Sequence, residues 1–273
     1  MAAIPAPVPR ARAQGKASVL KCLQLFESWL GSHETSGAFM TGPSGAATIA
    51  AIAFDIDGTL VDSEPLHLDV LNEVCAETGV DLSGLDDDRF RGVHLADVWT
   101  ALEPRRPADL SHQHWTDLTV ARYCARAGEL RPLAGMEELL AAARGAGVRM
   151  VCVSNSVRRI VDANIAALGI AGDIAFSVSY DDVPHGKPHP APYAMAASRL
   201  GLAPAQVAAV EDSETGAISA SAAGLRGFGI ATEYLVVPGA ELTVARLDEL
   251  ITPILGVTAP DALPQPGDLT KEQ

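Results

Sequence analysis

The sequence has few cysteines, few basic residues and no long apolar run. Its 273 residues include four cysteines, which are scattered along the chain and do not have the spacing of a zinc knuckle. No signal peptide is apparent. Unpatterned thiols without a secretion signal are typical of a reducing compartment, so we expect a cytoplasmic protein.

Charge and hydropathy exclude two further classes of protein. The chain carries 20 basic against 34 acidic residues, a net charge of −14, and has no basic segment that would attract nucleic acid. No run of 18 apolar residues is present, so we expect no membrane span. The apolar content of 48% suffices for one large domain or for a domain that carries a small insert.

The ends of the chain have a different composition from its middle. Residues 1–47 are predicted to form an N-terminal extension, disordered over 1–17 and with one amphipathic helix over 19–30. Met40 is an alternative translation start, and the sequence leaves this open. Residues 257–273 are predicted to be a disordered tail.

From residue 48 onward, short apolar segments alternate with helical patterns. The predicted strands cover residues 49–54, 148–153, 174–178, 207–210 and 228–230. Such alternation predicts an α/β fold, with a doubly wound parallel sheet covered by helices on both faces. Polar clusters follow several of these strands at the edge where such sheets place their sites.

One long interval breaks this alternation. Residues 65–132 contain helical patterns over 66–78, 95–102 and 115–126, and no convincing strand. We therefore predict a core domain made of residues 48–64 and 133–256, with a helical cap domain of residues 65–132 inserted after the first strand. An insert beside the site would act as a lid.

Asp55 and Asp57 form the most informative pair of residues. They follow the first predicted strand, point to the same side of the backbone and precede Gly58. Two carboxylates at close range are tolerable if a cation lies between them or if one holds a proton. A helix N-cap or a calcium loop is the alternative, but an EF-hand requires glutamate at the loop's twelfth position, where this chain has Leu66.

Three later clusters complete a set of four, each near the end of a strand. They are Ser154-Asn155, Lys187 within Gly186-Lys187-Pro188, and Glu211-Asp212-Ser213. The local strings DIDGTLVDSE, VSNS, GKPHPAPY and VEDSETGAISASAAG resemble the motifs of the haloacid dehalogenase superfamily, in the subfamily with a helical cap. β-Phosphoglucomutases, phosphoglycolate phosphatases and sugar-phosphate phosphatases belong to that subfamily.

The resemblance implies a magnesium-dependent phosphoryl transfer through an aspartyl phosphate. Asp55 would be the nucleophile, Asp57 a general acid and base with a raised pKa, and Lys187 a positive charge beside them. The predicted Mg²⁺ ligands are Asp55, the Asp57 carbonyl, Asp212 and, directly or through water, Glu211. The predicted phosphate and substrate residues are Ser154, Asn155, Gly58, which supplies the turn, and His67.

The cap residues bear on the substrate. We expect a phosphatase of a small sugar, sugar-acid or polyol phosphate, because Leu95 stands where the mutases have an arginine that grips a second phosphate. Arg91, Arg158 or Arg159 could compensate for missing cations, so a phosphosugar mutase stays the alternative. A non-catalytic phosphometabolite-binding protein is a more distant one. Family habit predicts a monomer.

Overall fold

In a computed structural model, the chain is described over residues 48–85, 87–90, 93–231 and 236–256. The predictions for the extension at residues 1–47, for Met40 and for the tail at 257–273 lie outside these ranges, as does Arg91. The fold that positions the site is formed by the described residues.

A six-stranded parallel sheet forms the centre of the fold, with the strand order β5-β4-β1-β6-β7-β8. Its strands are β1 Ala51–Phe54, β4 Arg149–Val153, β5 Ile174–Val178, β6 Val207–Glu211, β7 Arg226–Ile230 and β8 Leu242–Val244. β1 pairs in parallel with both β4 and β6. The residues that follow these three strands therefore meet at one edge of the sheet.

Helices cover both faces of this sheet. They are α4 Met136–Gly145, α5 Arg158–Ala167, α6 Ala191–Leu200, α7 Glu214–Ala222 and α8 Ile251–Leu255. Alternate residues of β1 enter different cores: Ile52 packs in the cluster that contains Met136, and Ala53 packs in the cluster that contains Tyr193. The central strands β1, β4 and β6 are almost entirely buried and are predominantly apolar. The predicted α/β doubly wound fold is confirmed.

Between β1 and α4 the described chain forms three α-helices, α1 Glu64–Thr78, α2 Leu95–Ala101 and α3 His112–Arg126. We refer to residues 65–132 as the cap segment, and its division from the core stays a prediction. Against the expectation of no strand, β3 Arg131–Pro132 pairs antiparallel with β2 Val61–Asp62 where the segment leaves and enters the core. Two-residue strands are too short to show the alternation that predicts a strand.

β8 also has no counterpart among the predicted strands. It has three residues, lies at the edge of the sheet and is partly exposed, so it lacks the apolar run that marks the central strands. Within the described ranges, no helix is long and apolar enough to cross a membrane.

Candidate active site

A cavity of about 290 Å³ lies at the carboxyl ends of β1, β4 and β6, beneath the cap segment. Of the residues predicted for the site, it is lined by Asp55, Asp57, His67, Ser154, Asn155, Lys187 and Asp212. Gly58 and Glu211 are absent from the described lining, but both contact residues that belong to it. The fold thus gathers side chains that lie more than 150 positions apart in the sequence.

Lys187 forms the centre of a buried charge network. Its Nζ donates to Asp55 Oδ1 at 2.6 Å, to Glu211 Oε1 at 2.5 Å and to the Val153 carbonyl at 2.8 Å. Burial lowers the pKa of Lys187, but the charges of Asp55 and Glu211 outweigh it and raise the pKa above its usual value. The lysine is therefore held as a cation beside the predicted nucleophile.

Asn155 fixes the backbone of this lysine. Its Oδ1 accepts from the Lys187 amide at 2.7 Å, and its Nδ2 donates to the Lys187 carbonyl at 3.1 Å. Gly186 lies against the Asn155 side chain, where a β-carbon would be too close. The structure thus gives the Asn155 side chain a positioning contact that the sequence does not reveal.

The Asp57 carboxylate lies in a ring of donors. Ser63 and Ser156 hydroxyls donate to it at 2.8 Å each, Asn164 Nδ2 donates at 3.0 Å, Ser154 Oγ donates at 3.4 Å, and His67 Nε2 lies 3.6 Å away. Burial alone would raise the pKa of Asp57, but the interactions with His67, Ser63 and Ser156 outweigh it and lower the pKa to about 2. The predicted raised pKa is therefore wrong for this state of the site, because the donors favour the ionised carboxylate.

Glu211 is buried at the cavity floor, outside the described lining. One carboxylate oxygen accepts from Lys187 and from the Tyr193 hydroxyl, and the other accepts from Ser213 Oγ at 3.2 Å. A β-carbon at Gly216 would overlap the Glu211 carboxylate. The start of α7 can therefore lie against Glu211 because residue 216 is glycine.

Asp212 reaches the cavity from the neighbouring position. Its carboxylate lies so close to Gly58 that a β-carbon there would overlap it, and Gly58 has a φ of +83°. Burial and the charge of Glu211 raise the pKa of Asp212 to about 7. Burial likewise raises the pKa of Asp55, an effect that Lys187 opposes and that the neighbouring carboxylates reinforce.

The acidic residues at the cavity floor fit a hard divalent cation. Asp55, Glu211 and Asp212 each offer one carboxylate oxygen, and these oxygens lie within 4.8 Å of one another. Their crowding disfavours the ionised forms, and a cation between them would relieve the repulsion. An all-oxygen set suits Mg²⁺. The Asp57 side chain faces the ring of donors instead, and a metal contact through its carbonyl stays a prediction.

Several residues that contact the site were not predicted from the sequence. They are Ser63, Tyr123, Ser156, Asn164 and Tyr193. Ser156 and Tyr193 lie within the motif strings VSNS and GKPHPAPY. Asn164 could have been found as a polar residue on the apolar face that Ile160 and Val161 form on α5.

Comparisons with known proteins agree with the motifs in the sequence. A family model described as haloacid dehalogenase-like hydrolase matches residues 49–224. Protein CbbY from Rhodobacter capsulatus is 34% identical over 200 residues, which cover 68% of this chain and 87% of that protein. Hexitol phosphatase B from Escherichia coli (strain K12) is 31% identical over 198 residues, covering 71% and 85%.

A solved structure is similar over most of the described chain. The crystal structure of CbbY from Rhodobacter sphaeroides in complex with phosphate superimposes with a TM-score of 0.67 at 29% sequence identity. The match covers 74% of this chain and 96% of that one. The sequence comparison and the structural comparison thus both find CbbY proteins.

Proposed function

Because this chain belongs to the haloacid dehalogenase-like hydrolases, we propose that it is a magnesium-dependent phosphatase of a small phosphorylated sugar, sugar acid or polyol. The observation that carries the proposal is the buried contact of Lys187 with Asp55 and Glu211, beside Asp212, at the floor of a cavity. Burying these charges is unfavourable unless they are paired or bind a metal ion. Such a cluster of buried charged groups beside a cavity is typical of a functional site.

The first step would transfer the phosphoryl group to the protein. An oxygen of Asp55 forms a bond to phosphorus, the ester P–O bond breaks, and the departing oxygen takes a proton from Asp57. Asp57 is ionised in the described site, but an arriving phosphate brings negative charge beside it and favours its protonated form. Lys187 offsets the negative charge that develops on the phosphoryl oxygens.

The second step would restore the protein. A water molecule gives a proton to Asp57 and attacks phosphorus, the bond to Asp55 breaks, and inorganic phosphate leaves. Ser154 and Asn155 follow β4 and line the cavity, which supports a role in holding phosphate oxygens. Asp55 recovers its carboxylate, so the cycle can repeat.

Asp55, Asp212 and Glu211 would hold the magnesium ion that these hydrolases are expected to use. When bound, Mg²⁺ supplies positive charge that screens the phosphate from the carboxylates around it. Glu211 already accepts hydrogen bonds from Lys187 and Tyr193. Glu211 would therefore both bind the metal ion and hold Lys187 in place.

The relatives support a small phosphorylated metabolite as the substrate. One relative is called hexitol phosphatase B, and the crystal structure of CbbY from Rhodobacter sphaeroides contains phosphate. Leu95 lines the cavity, and in the sequence it stands where the resembling mutases have an arginine for a second phosphate. Arg158 bonds Asp182 and Ser177 instead, and neither it nor Arg159 is among the described lining residues. These contacts favour hydrolysis over the mutase alternative.

The proposal is tested by phosphate release from p-nitrophenyl phosphate and a panel of sugar and polyol phosphates. We expect Mg²⁺-dependent turnover that EDTA removes, and we expect Asp55→Asn to lower kcat by at least about 10³-fold, because the amide cannot act as the nucleophile.

Asp109→Asn is the matched control, since Asp109 is an exposed aspartate of the cap segment outside the described cavity lining. It should leave kcat unchanged. Turnover that survives Asp55→Asn, or no turnover of any ester by the wild-type protein, would overturn the proposal. Isomerisation of a sugar monophosphate primed by a bisphosphate would favour the mutase.

A further inference from the structure

Tyr123 of the cap segment contacts two residues that lie beside the Asp57 carboxylate, Asn164 and His67. Tyr123 lies on α3, is fully buried, and its hydroxyl donates to Asn164 Oδ1 at 2.9 Å. That bond leaves the Asn164 amide nitrogen facing Asp57 Oδ1, to which it donates at 3.0 Å. A chain of two hydrogen bonds thus links the cap segment, through the core helix α5, to the Asp57 carboxylate.

The ring of the same tyrosine supports a second contact. His67 stacks on Tyr123 with ring centroids 4.3 Å apart and an interplanar angle of 24°. Its Nε2 lies 3.6 Å from the same oxygen, Asp57 Oδ1. The Ser63 hydroxyl also donates to this oxygen at 2.8 Å. Tyr123 therefore contacts two of the three groups that approach Asp57 Oδ1.

The other carboxylate oxygen of Asp57 has different partners. Oδ2 accepts from Ser156 at 2.8 Å and from Ser154 at 3.4 Å, both of which belong to the loop after β4. Asp57 is thus held between the loop after β4 on one side and, on the other, Ser63 together with the two groups that Tyr123 contacts. Loosening the Asn164 and His67 contacts would leave Ser63 alone on that side and let the carboxylate rotate away from its line of proton transfer.

We propose that Tyr123 and Asn164 are positioning residues that aim the Asp57 carboxylate at the oxygen of the leaving group. The inference rests on the proposed phosphatase function. Asn164 is buried and lies outside the described cavity lining, so it acts through Asp57 and not on the substrate. Tyr123 lines the cavity and brings this contact from the cap segment.

This role predicts a dependence on the leaving group. An alkoxide is a strong base that leaves only when it receives a proton, whereas p-nitrophenolate leaves without one. kcat/KM reports the steps up to departure of the leaving group. A misaimed Asp57 should therefore slow alkyl phosphates more than p-nitrophenyl phosphate, whereas a merely loosened fold should slow both alike.

The test compares Tyr123→Phe and Asn164→Ala with the wild-type protein on an alkyl phosphate from the panel and on p-nitrophenyl phosphate. Tyr123→Phe keeps the ring that stacks on His67 and removes only the hydroxyl. We expect kcat/KM for the alkyl phosphate to fall about tenfold, and that for p-nitrophenyl phosphate to fall less than about threefold. The double variant should be no worse than Asn164→Ala, because Tyr123 acts through Asn164.

Thr78→Val is the control, since it also removes one hydroxyl of the cap segment, whose hydrogen bond goes to the Val74 carbonyl outside the described cavity lining. It should leave the ratio of the two kcat/KM values unchanged. Equal losses on both esters in Tyr123→Phe would overturn the inference while leaving the phosphatase intact. A wild-type protein that hydrolyses neither ester would overturn the proposed function and this inference with it. If Asn164→Ala fails to fold, the ratio of the two kcat/KM values in the milder variant Tyr123→Phe decides the test.

Discussion

At the scale of single residues, the site depends on close approaches that only a glycine permits. Gly58 lies in a left-handed turn and against the Asp212 carboxylate. Gly216 allows the equivalent approach of α7 to Glu211. In both places an absent side chain lets an acidic group reach the cavity floor, so these glycines shape the site without contributing a functional group.

Gly58→Ala should abolish most activity and destabilise the fold. The left-handed backbone costs an L-residue about 1–2 kcal/mol, and the added β-carbon must also displace Asp212. Gly84→Ala is the matched control, because Gly84 has a φ of +71° and no atom within 4 Å of its β-carbon position. Urea unfolding should show a larger loss for Gly58→Ala. Equal losses, with phosphate release unaffected in both variants, would contradict the role given to Gly58.

At the scale of elements, the ends of strands and helices hold the site together. β1, β4 and β6 end at the same edge of the sheet, and α7 begins directly after β6. Ser213 caps that helix, since its Oγ accepts from the Gly216 amide at 3.1 Å and also donates to Glu211. The start of a helix is thereby connected to the charge network around Lys187.

Two N-cap substitutions distinguish the contribution of Ser213 to helix stability from its contribution to the site. Ser213→Ala and Ser111→Ala each remove a serine cap, and each should cost about 1 kcal/mol of unfolding free energy. Ser111 caps α3 and donates no bond to a site residue in the described contacts. We expect Ser213→Ala alone to lower kcat, by about two- to tenfold, because Glu211 loses a donor. An equal kcat for both variants would show that the Glu211 contact is dispensable.

At the scale of the whole molecule, the site couples folding to cation binding. Asp55, Glu211 and Asp212 are far apart in the unfolded chain and come together only when β1 and β6 pair. A cation that binds this cluster therefore binds the native state in preference to the unfolded state and stabilises it. Without a cation, mutual repulsion of the carboxylates opposes folding.

Asp212→Asn should raise the melting temperature without magnesium and abolish the further rise that magnesium causes. Burial and the neighbouring carboxylates raise the pKa of Asp212 and Asp55, so replacing Asp212 with a neutral amide removes an unfavourable buried charge, and the melting temperature without Mg²⁺ should rise. The further rise that MgCl₂ gives the wild-type protein should be lost, since the variant lacks a ligand. Differential scanning fluorimetry with EDTA or MgCl₂ measures both, with Asp109→Asn as the control. A magnesium-induced shift that persists in Asp212→Asn would argue against this metal site.

Local sequence patterns determined the parallel α/β core and the strand ends at which polar clusters collect, because buried strands need continuous apolar runs and parallel sheets place functional groups at their carboxyl edge. They did not reveal β2, β3 and β8, which are too short or too exposed to carry such a pattern.

The tertiary structure alone decided how the site residues contact one another. The sequence suggested a raised pKa for Asp57, yet donors from α1, α5 and the loop after β4 converge on it and lower that pKa to about 2. Likewise, nothing local connects Tyr123 with Asn164, which lie 41 positions apart and meet only when α3 packs on α5. A pKa and a hydrogen-bond chain depend on distances in space, and those distances are fixed only when the helices and the sheet have packed together.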